Sequence, residues 1–153
     1  MKNEISNIIS LLQCTFEKGA WHGSSVKEML KDISSEQSLK RVNNTHSIIE
    51  LVAHMTAWRI FVAKRLEGDI EFKMTEELNF PSLPDWALTL QQLEDSQIRL
   101  LSALEEFPES RLPELVTSST HQYSFYALLH GIIHHDLYHI GQIALIKKST
   151  SNE

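Results

Sequence analysis

The stretch Leu128-Leu129-His130-Gly131-Ile132-Ile133-His134-His135-Asp136-Leu137-Tyr138-His139-Ile140-Gly141-Gln142-Ile143 sets four histidines into an apolar pattern of helical length. On an α-helix, residues four apart project side by side, so His135 and His139 can offer two imidazoles to one metal ion from a single rigid wall. His130 and His134 have the same spacing, so spacing does not choose between the pairs. Position around the helix does. At about 100° per residue from Leu128, the side chains of Phe125, Leu128, Leu129, Ile132, Ile143 and Ile146 gather between about 0° and about 100°, which marks the core face. His139 falls at about 20° and His135 at about −20°, whereas His130 and His134 fall at about 200° and about 240° and turn outward. Two histidines on an apolar face either pair with core polar groups or share a cation, and a leucine-rich core offers few such groups. A third ligand must come from elsewhere. His54, in Glu50-Leu51-Val52-Ala53-His54-Met55-Thr56-Ala57-Trp58, lies in a second apolar helical run that can face the first across a bundle.

The chain has 153 residues with 42% hydrophobic content, enough for one core and too little for two comfortable domains, so one domain over residues 1–153 is expected. No apolar run approaches the roughly 20 residues that span a bilayer. The start Met1-Lys2-Asn3-Glu4 lacks the pattern of a signal peptide, and a soluble cytoplasmic protein is expected. The single cysteine, Cys14, excludes an internal disulfide and a thiolate metal cluster. Its apolar surroundings predict a packed core position rather than a reactive thiol. The net charge is −6 and no basic cluster is interleaved with aromatics, which argues against a nucleic-acid partner. Lys147-Lys148, at the end of the last helical run, is explained by the helix dipole.

Four long helical segments are read along the chain. The first runs from about Glu4 to Lys18, with Ile5, Ile8, Ile9, Leu12 and Phe16 at helical spacing and Gly19 closing it. The second begins at the capping box Ser47-x-x-Glu50 and continues through Leu51, Met55, Trp58, Phe61, Val62 and Leu66 to Gly68. The box gives Glu50 a structural task, so it is not counted as a ligand. The third follows Pro84-Asp85 and carries Trp86, Leu90, Leu93, Ile98, Leu101 and Leu104 inward before Phe107-Pro108 ends it. The fourth runs from near Ser124 to about Lys148. Ser25-x-x-Glu28 predicts a short extra helix, and Val116 to Tyr123 a brief extended stretch. Connections as long as 69–84 and 108–123 let the chain cross the bundle end, so an up-down-up-down order is not required.

The run Gly131 to Leu145, together with His54 in Ser47-Ile48-Ile49-Glu50-Leu51-Val52-Ala53-His54 and the loop Trp21-His22-Gly23, resembles the DinB-like superfamily, with the elements in the family order from Phe16 to Lys148. The resemblance implies an all-α fold, a four-helix bundle of the DinB-like type with long crossover loops and a short extra helix. It implies one divalent ion held by three histidines, which fall on His54, His135 and His139. His134, beside the first of the pair, is the neighbour able to compete for the ion, against its outward angle. Characterised relatives include thiol-dependent S-transferases, among them bacillithiol transferases, and a mycothiol-dependent maleylpyruvate isomerase. The family name concerns induction by DNA damage and not DNA binding.

Three neutral imidazoles leave coordination positions open, as in catalytic sites. The leading expectation is a metal-dependent thiol S-transferase, or a related enzyme of nucleophilic addition, that uses zinc or nickel, a low-molecular-weight thiol and a small electrophile, with no protein nucleophile. The alternatives are a non-catalytic metal-binding or stress-related bundle, or a structural bundle with hydrogen-bonded core histidines. Trp58 and Gln142, each near one ligand, are pocket candidates, and Trp21 and His22 are candidates to cap the pocket from the first crossover. Arg65, nearly in line with His54, is read either as meeting an anionic group or as an exposed or paired surface arginine. Asp136 and Tyr138 are read as partners of the ligands or as surface groups. The outward aromatic and histidine residues of the last helix permit a homodimer.

Overall fold

Helix α1 (Glu4–Phe16) starts where the Asn3 side chain accepts the Ser6 backbone N–H at 2.9 Å, and it buries Ile5, Ile8, Leu12, Thr15 and Phe16 along one stripe. Cys14, expected in the core, is exposed instead. It stands two residues, about 200°, beyond Leu12 and so on the opposite face. The computed structural model describes residues 3–81, 85–117 and 122–150. The short helix α2 (Val26–Leu30) has the expected capping box: Ser25 Oγ accepts the Glu28 N–H at 3.3 Å, and Glu28 accepts the Ser25 N–H at 2.9 Å. Helix α3 (Ser35–Ser38) adds one further turn.

Helix α4 (Ile48–Leu66) follows Ser47, whose backbone N–H and hydroxyl both donate to Glu50, at 2.6 and 2.8 Å. Glu50 also accepts from Arg41 at 3.2 Å, so its carboxylate is committed at the helix start. After the short helix α5 (Glu76–Asn79) comes α6 (Trp86–Glu105), where Asp85 accepts the Leu88 N–H at 2.8 Å. Pro84 lies outside the described residues. On α6 the buried stripe is Trp86, Thr89, Leu93, Ser96, Gln97, Leu100 and Leu104. Ile98, expected inward, is 61% exposed. It lies about 140° round from Leu93, and the positions that do face inward there are the polar Ser96 and Gln97. A 3₁₀ turn (Glu109–Arg111) precedes α7 (Phe125–Thr150), whose first turn is capped by Ser124 Oγ accepting the Ala127 N–H at 3.2 Å. Of the stretch expected to be extended, Val116 to Tyr123, 118–121 lie outside the described residues; the residues that flank it, Leu115 and Ser124, form one isolated antiparallel bridge, and at its ends Val116 donates to the Tyr123 carbonyl at 2.9 Å.

The long helices α1, α4, α6 and α7 close a four-helix bundle in which α4 packs on α6 and α7, and α1 on α7 and α6. Two apolar clusters show the directions. One joins Ile5, Ile8 and Leu12 to Val62, Leu66, Leu100, Leu104, Phe125 and Leu129. The other joins Phe16 to Ile48, Val52, Met55, Trp86, Leu93, Ile140 and Ile143. Helices α4 and α6 therefore run the same way, opposite to α1 and α7. The parallel α4–α6 pair is what makes the long 67–85 connection necessary.

Between the clusters lies a polar layer. Arg59 and Asp136, each 0% exposed, form a two-pronged ion pair with Nη1–Oδ1 at 3.2 Å and Nη2–Oδ2 at 2.6 Å. The same guanidinium sits over the Phe16 ring at 4.7 Å, so one side chain ties α4 to both α7 and α1. Burial pushes the Asp136 carboxyl up, to about 6, and the Arg59 guanidinium down. Guanidinium keeps its proton in proteins, and the paired geometry favours the charged form of both groups, so the pair is ionic. Asp136 is thus a core residue and not a surface group. Arg65 is buried as well; among the described residues its guanidinium has no carboxylate partner and donates instead to the backbone carbonyls of Asp69 and Phe72, which fixes the start of the crossover. Among the described residues, no helix is long and apolar enough to cross a membrane.

Removing one member of a buried pair strands the other charge, so Arg59→Met alone is expected to cost about 3–5 kcal/mol, and Arg59→Met with Asp136→Leu far less. Urea unfolding of the parent, both single variants and the double variant checks this; additive losses would show that the pair is not coupled.

Candidate metal centre

His54 projects from α4, and His135 and His139 from successive turns of α7, so the antiparallel packing of these two helices brings the three rings together. His135 Nε2 stands 3.1 Å from His54 Nε2 and 3.1 Å from His139 Nε2. One nitrogen from each ring lies within 4.8 Å of the others, the arrangement of a group that can hold a metal ion. His54 and His139 are each 7% exposed, and His135 is half-buried.

The ring protons can be assigned from the outer contacts. His54 Nδ1 is 2.8 Å from the Asn79 carbonyl oxygen, which only accepts, so the proton sits on Nδ1 and Nε2 carries a lone pair. His139 Nδ1 faces Gln142 Oε1 at 2.6 Å, with the same consequence. His135 has a buried Nδ1 with no hydrogen-bond partner, while its Nε2 faces two lone pairs at once. A proton on His135 Nε2 can satisfy only one of them. A divalent cation satisfies all three, and nitrogens bound to one tetrahedral ion at about 2.0–2.1 Å stand about 3.3 Å apart, close to the separation seen. The donor set therefore fits a metal. Outer hydrogen bonds from Nδ1 to an oxygen are also how ligating imidazoles are oriented.

All three rings are held below the ordinary histidine value near 6.5, chiefly by burial, and His135 falls to about 3 through burial and then the neighbouring His139, His54 and Arg59. The cluster is neutral at pH 7, the state in which imidazole coordinates.

The histidines form one wall of a pocket of about 590 Å³ whose other walls include Trp58, Val62, Ala127, Leu128 and Ile132. Trp58 stands 5.9 Å from the His135 ring and 6.3 Å from the His54 ring, and it donates its indole N–H to Asn79 Oδ1 at 2.9 Å. Tyr138 also lines the pocket. Gln142 does not; it holds His139 from behind and lines a separate cavity beside His46. Trp21 and His22 are exposed, Trp21 fully at 101%, and neither lines the pocket. His134 is exposed, and His130 turns its Nδ1 to the Tyr126 carbonyl at 3.0 Å, so the outward pair takes no part in the cluster.

Two residues of the site escape sequence reasoning. Asn79 holds both His54 and Trp58, and Phe80 stacks on His54 at 4.4 Å and on His46 at 3.9 Å. Both lie where the short helix α5 ends within the 67–85 crossover, and no periodicity shows which carbonyl of such a connection will meet a helix 25 residues earlier.

The sequence profile of the DinB superfamily matches residues 20–143, and the chain belongs to that superfamily. Among solved structures it is similar to a DinB-like protein, YjoA, from Bacillus subtilis, with a TM-score of 0.66 and 19% identity over 94% of this chain and 91% of that one, a likeness of fold. No curated protein sequence matches it significantly.

Depressed histidine values mean that the unfolded chain takes up protons where the folded one does not. The contribution is complete above about 6.5 and is lost as pH falls toward about 3, where folded His135 also protonates. Metal-free protein should therefore lose stability across that window, and His135→Ala should flatten the slope; denaturant midpoints between pH 7 and 4 report it. In metal titrations, His54→Ala, His135→Ala and His139→Ala should each lose stoichiometric binding of zinc, while His130→Ala keeps it. Retention of binding by His54→Ala would remove α4 from the centre.

Proposed function

We propose that this chain is a cytoplasmic metal-dependent thiol S-transferase, or an enzyme of a related nucleophilic addition, that holds one zinc or nickel ion through His54, His135 and His139. The observation that carries the reading is the opening of the three-histidine wall into a substrate-sized pocket. A store or a structural cluster needs no such space. Three ligands also leave room for a fourth partner, as in catalytic rather than structural sites. A divalent ion bound there supplies the charge that makes a thiol acidic at neutral pH.

The protein's own groups bind and orient. Asn79 and Gln142 fix the rings with their lone pairs inward. Trp58 and the apolar wall exclude water from the reacting atoms. Among the described lining residues there is no serine, cysteine, lysine or carboxylate, so the nucleophile comes with the substrate pair. In the transfer the thiol gives its proton to solvent and its sulfur forms a new bond to carbon. The electron pair of the broken bond leaves with the departing group, which takes up a proton. The same reading includes a homodimer through the outer face of α7, where Tyr126, Tyr138 and Leu145 are exposed.

Zinc- or nickel-loaded protein, assayed with small thiols against a panel of electrophiles, is expected to consume thiol with 1:1 product formation, and His135→Ala to reduce the rate at least about 100-fold. Thiol consumption no faster than with metal-stripped protein across the panel, with metal still tightly bound, would instead make the chain a metal-binding protein without turnover.

A further inference from the structure

The pocket divides into a head and a body. The head is the three-histidine wall. The body is formed by Trp58, Val62, Ala127, Leu128 and Ile132, and among the described lining residues none carries an aspartate, glutamate, lysine or arginine side chain. Trp58 has its one polar atom engaged by Asn79 Oδ1, which leaves its ring carbons for contact with a ligand. Asn79 is itself engaged twice, by its carbonyl to His54 and its side chain to Trp58. Tyr123 and Tyr138 add hydroxyls. The nearby guanidinium of Arg59 is sealed in its pair with Asp136, both 0% exposed, and cannot meet a ligand.

A charged group placed against the body would leave water and find no opposite charge, whereas an apolar ring would trade water for ring and aliphatic contact. A cation held by three neutral rings attracts an anion only at the head, so discrimination falls on the rest of the ligand. We infer that the pocket selects a ligand with an uncharged, apolar body of aromatic size, its only metal-seeking group at the end that faces His54, His135 and His139, and that it rejects ligands with a carboxylate or phosphonate on the body. This deepens the thiol-transfer reading and rests on it for the identity of the head group alone.

Phenylmethanethiol and 4-(sulfanylmethyl)benzoate differ by one carboxylate at the far end of the ring and separate the cases. Their binding is followed by the indole N–H resonance of Trp58, assigned with Trp58→Phe, in metal-free and in zinc-loaded protein. The neutral thiol is expected to bind at least about tenfold more tightly in both forms. Ala127, exposed on the pocket rim, gives the complementary test. Ala127→Lys should narrow that preference at least about threefold by pairing the carboxylate, and Ala127→Gln, of similar bulk without charge, should not. Equal affinities in the parent protein, tighter binding of the carboxylate, or no movement of the Trp58 resonance with either thiol would overturn the inference. A preference for the neutral thiol in a protein where zinc tightens the binding of neither thiol would leave the pocket inference standing and overturn the metal–thiol reading.

Discussion

The buried Arg59–Asp136 pair fixes how α4 and α7 sit against each other, and the three-histidine centre depends on that. A two-pronged contact between a planar guanidinium and a carboxylate tolerates little rotation or sliding of either helix. His135 is the residue before Asp136, and His54 is five residues before Arg59, so the register that closes the ion pair also brings the three Nε2 atoms together. Apolar contacts alone would allow some sliding, because Leu, Ile and Val stripes repack at modest cost. A buried pair is no strong source of net stability compared with apolar groups of the same shape. Its effect here is alignment, with apolar clusters on both sides supplying the burial.

Alignment of the helices does not by itself orient the rings. That falls to groups outside the cluster: the Asn79 carbonyl behind His54, Gln142 behind His139, and Phe80 stacked on the face of His54. Arg65 holds the first part of the crossover through the carbonyls of Asp69 and Phe72, and Thr75 caps its short helix by accepting the Leu78 N–H at 3.2 Å. The crossover required by two parallel neighbouring helices thus also positions one histidine of the cluster and one pocket wall. His135 lacks such a partner at Nδ1, and so its orientation rests on packing and on what its Nε2 meets.

Much of this is legible in the sequence because helical periodicity is a property of short stretches. The positions of His135 and His139, and the outward turn of His130 and His134, follow from about 100° per residue. So does the buried ion pair: Asp136 falls at about 80°, inside the core stripe, and Arg59 lies on the stripe Val52, Met55, Val62, Leu66. Two opposite charges on two buried stripes require each other, and that signal was available. Residue type alone puts Cys14 and Ile98 in the core, but their angles, about 200° from Leu12 and about 140° from Leu93, turn both outward, and both are exposed. Asn79 and Phe80 were not legible, because loop-to-helix contacts across such separations leave no periodic trace. Membership of the first crossover loop does not say which way Trp21 and His22 face, and both are exposed to solvent.

His54, His135 and His139 together are expected to hold one divalent ion. X-ray absorption at the metal edge, on protein purified without an affinity tag, tests it most directly. About one ion per chain is expected, with three imidazole nitrogens at about 2.0–2.1 Å and one or more lighter-atom positions exchangeable by added thiol. Metal-free protein that takes up no zinc and is indifferent to chelators, or a bound ion with fewer than three imidazoles around it, would contradict it.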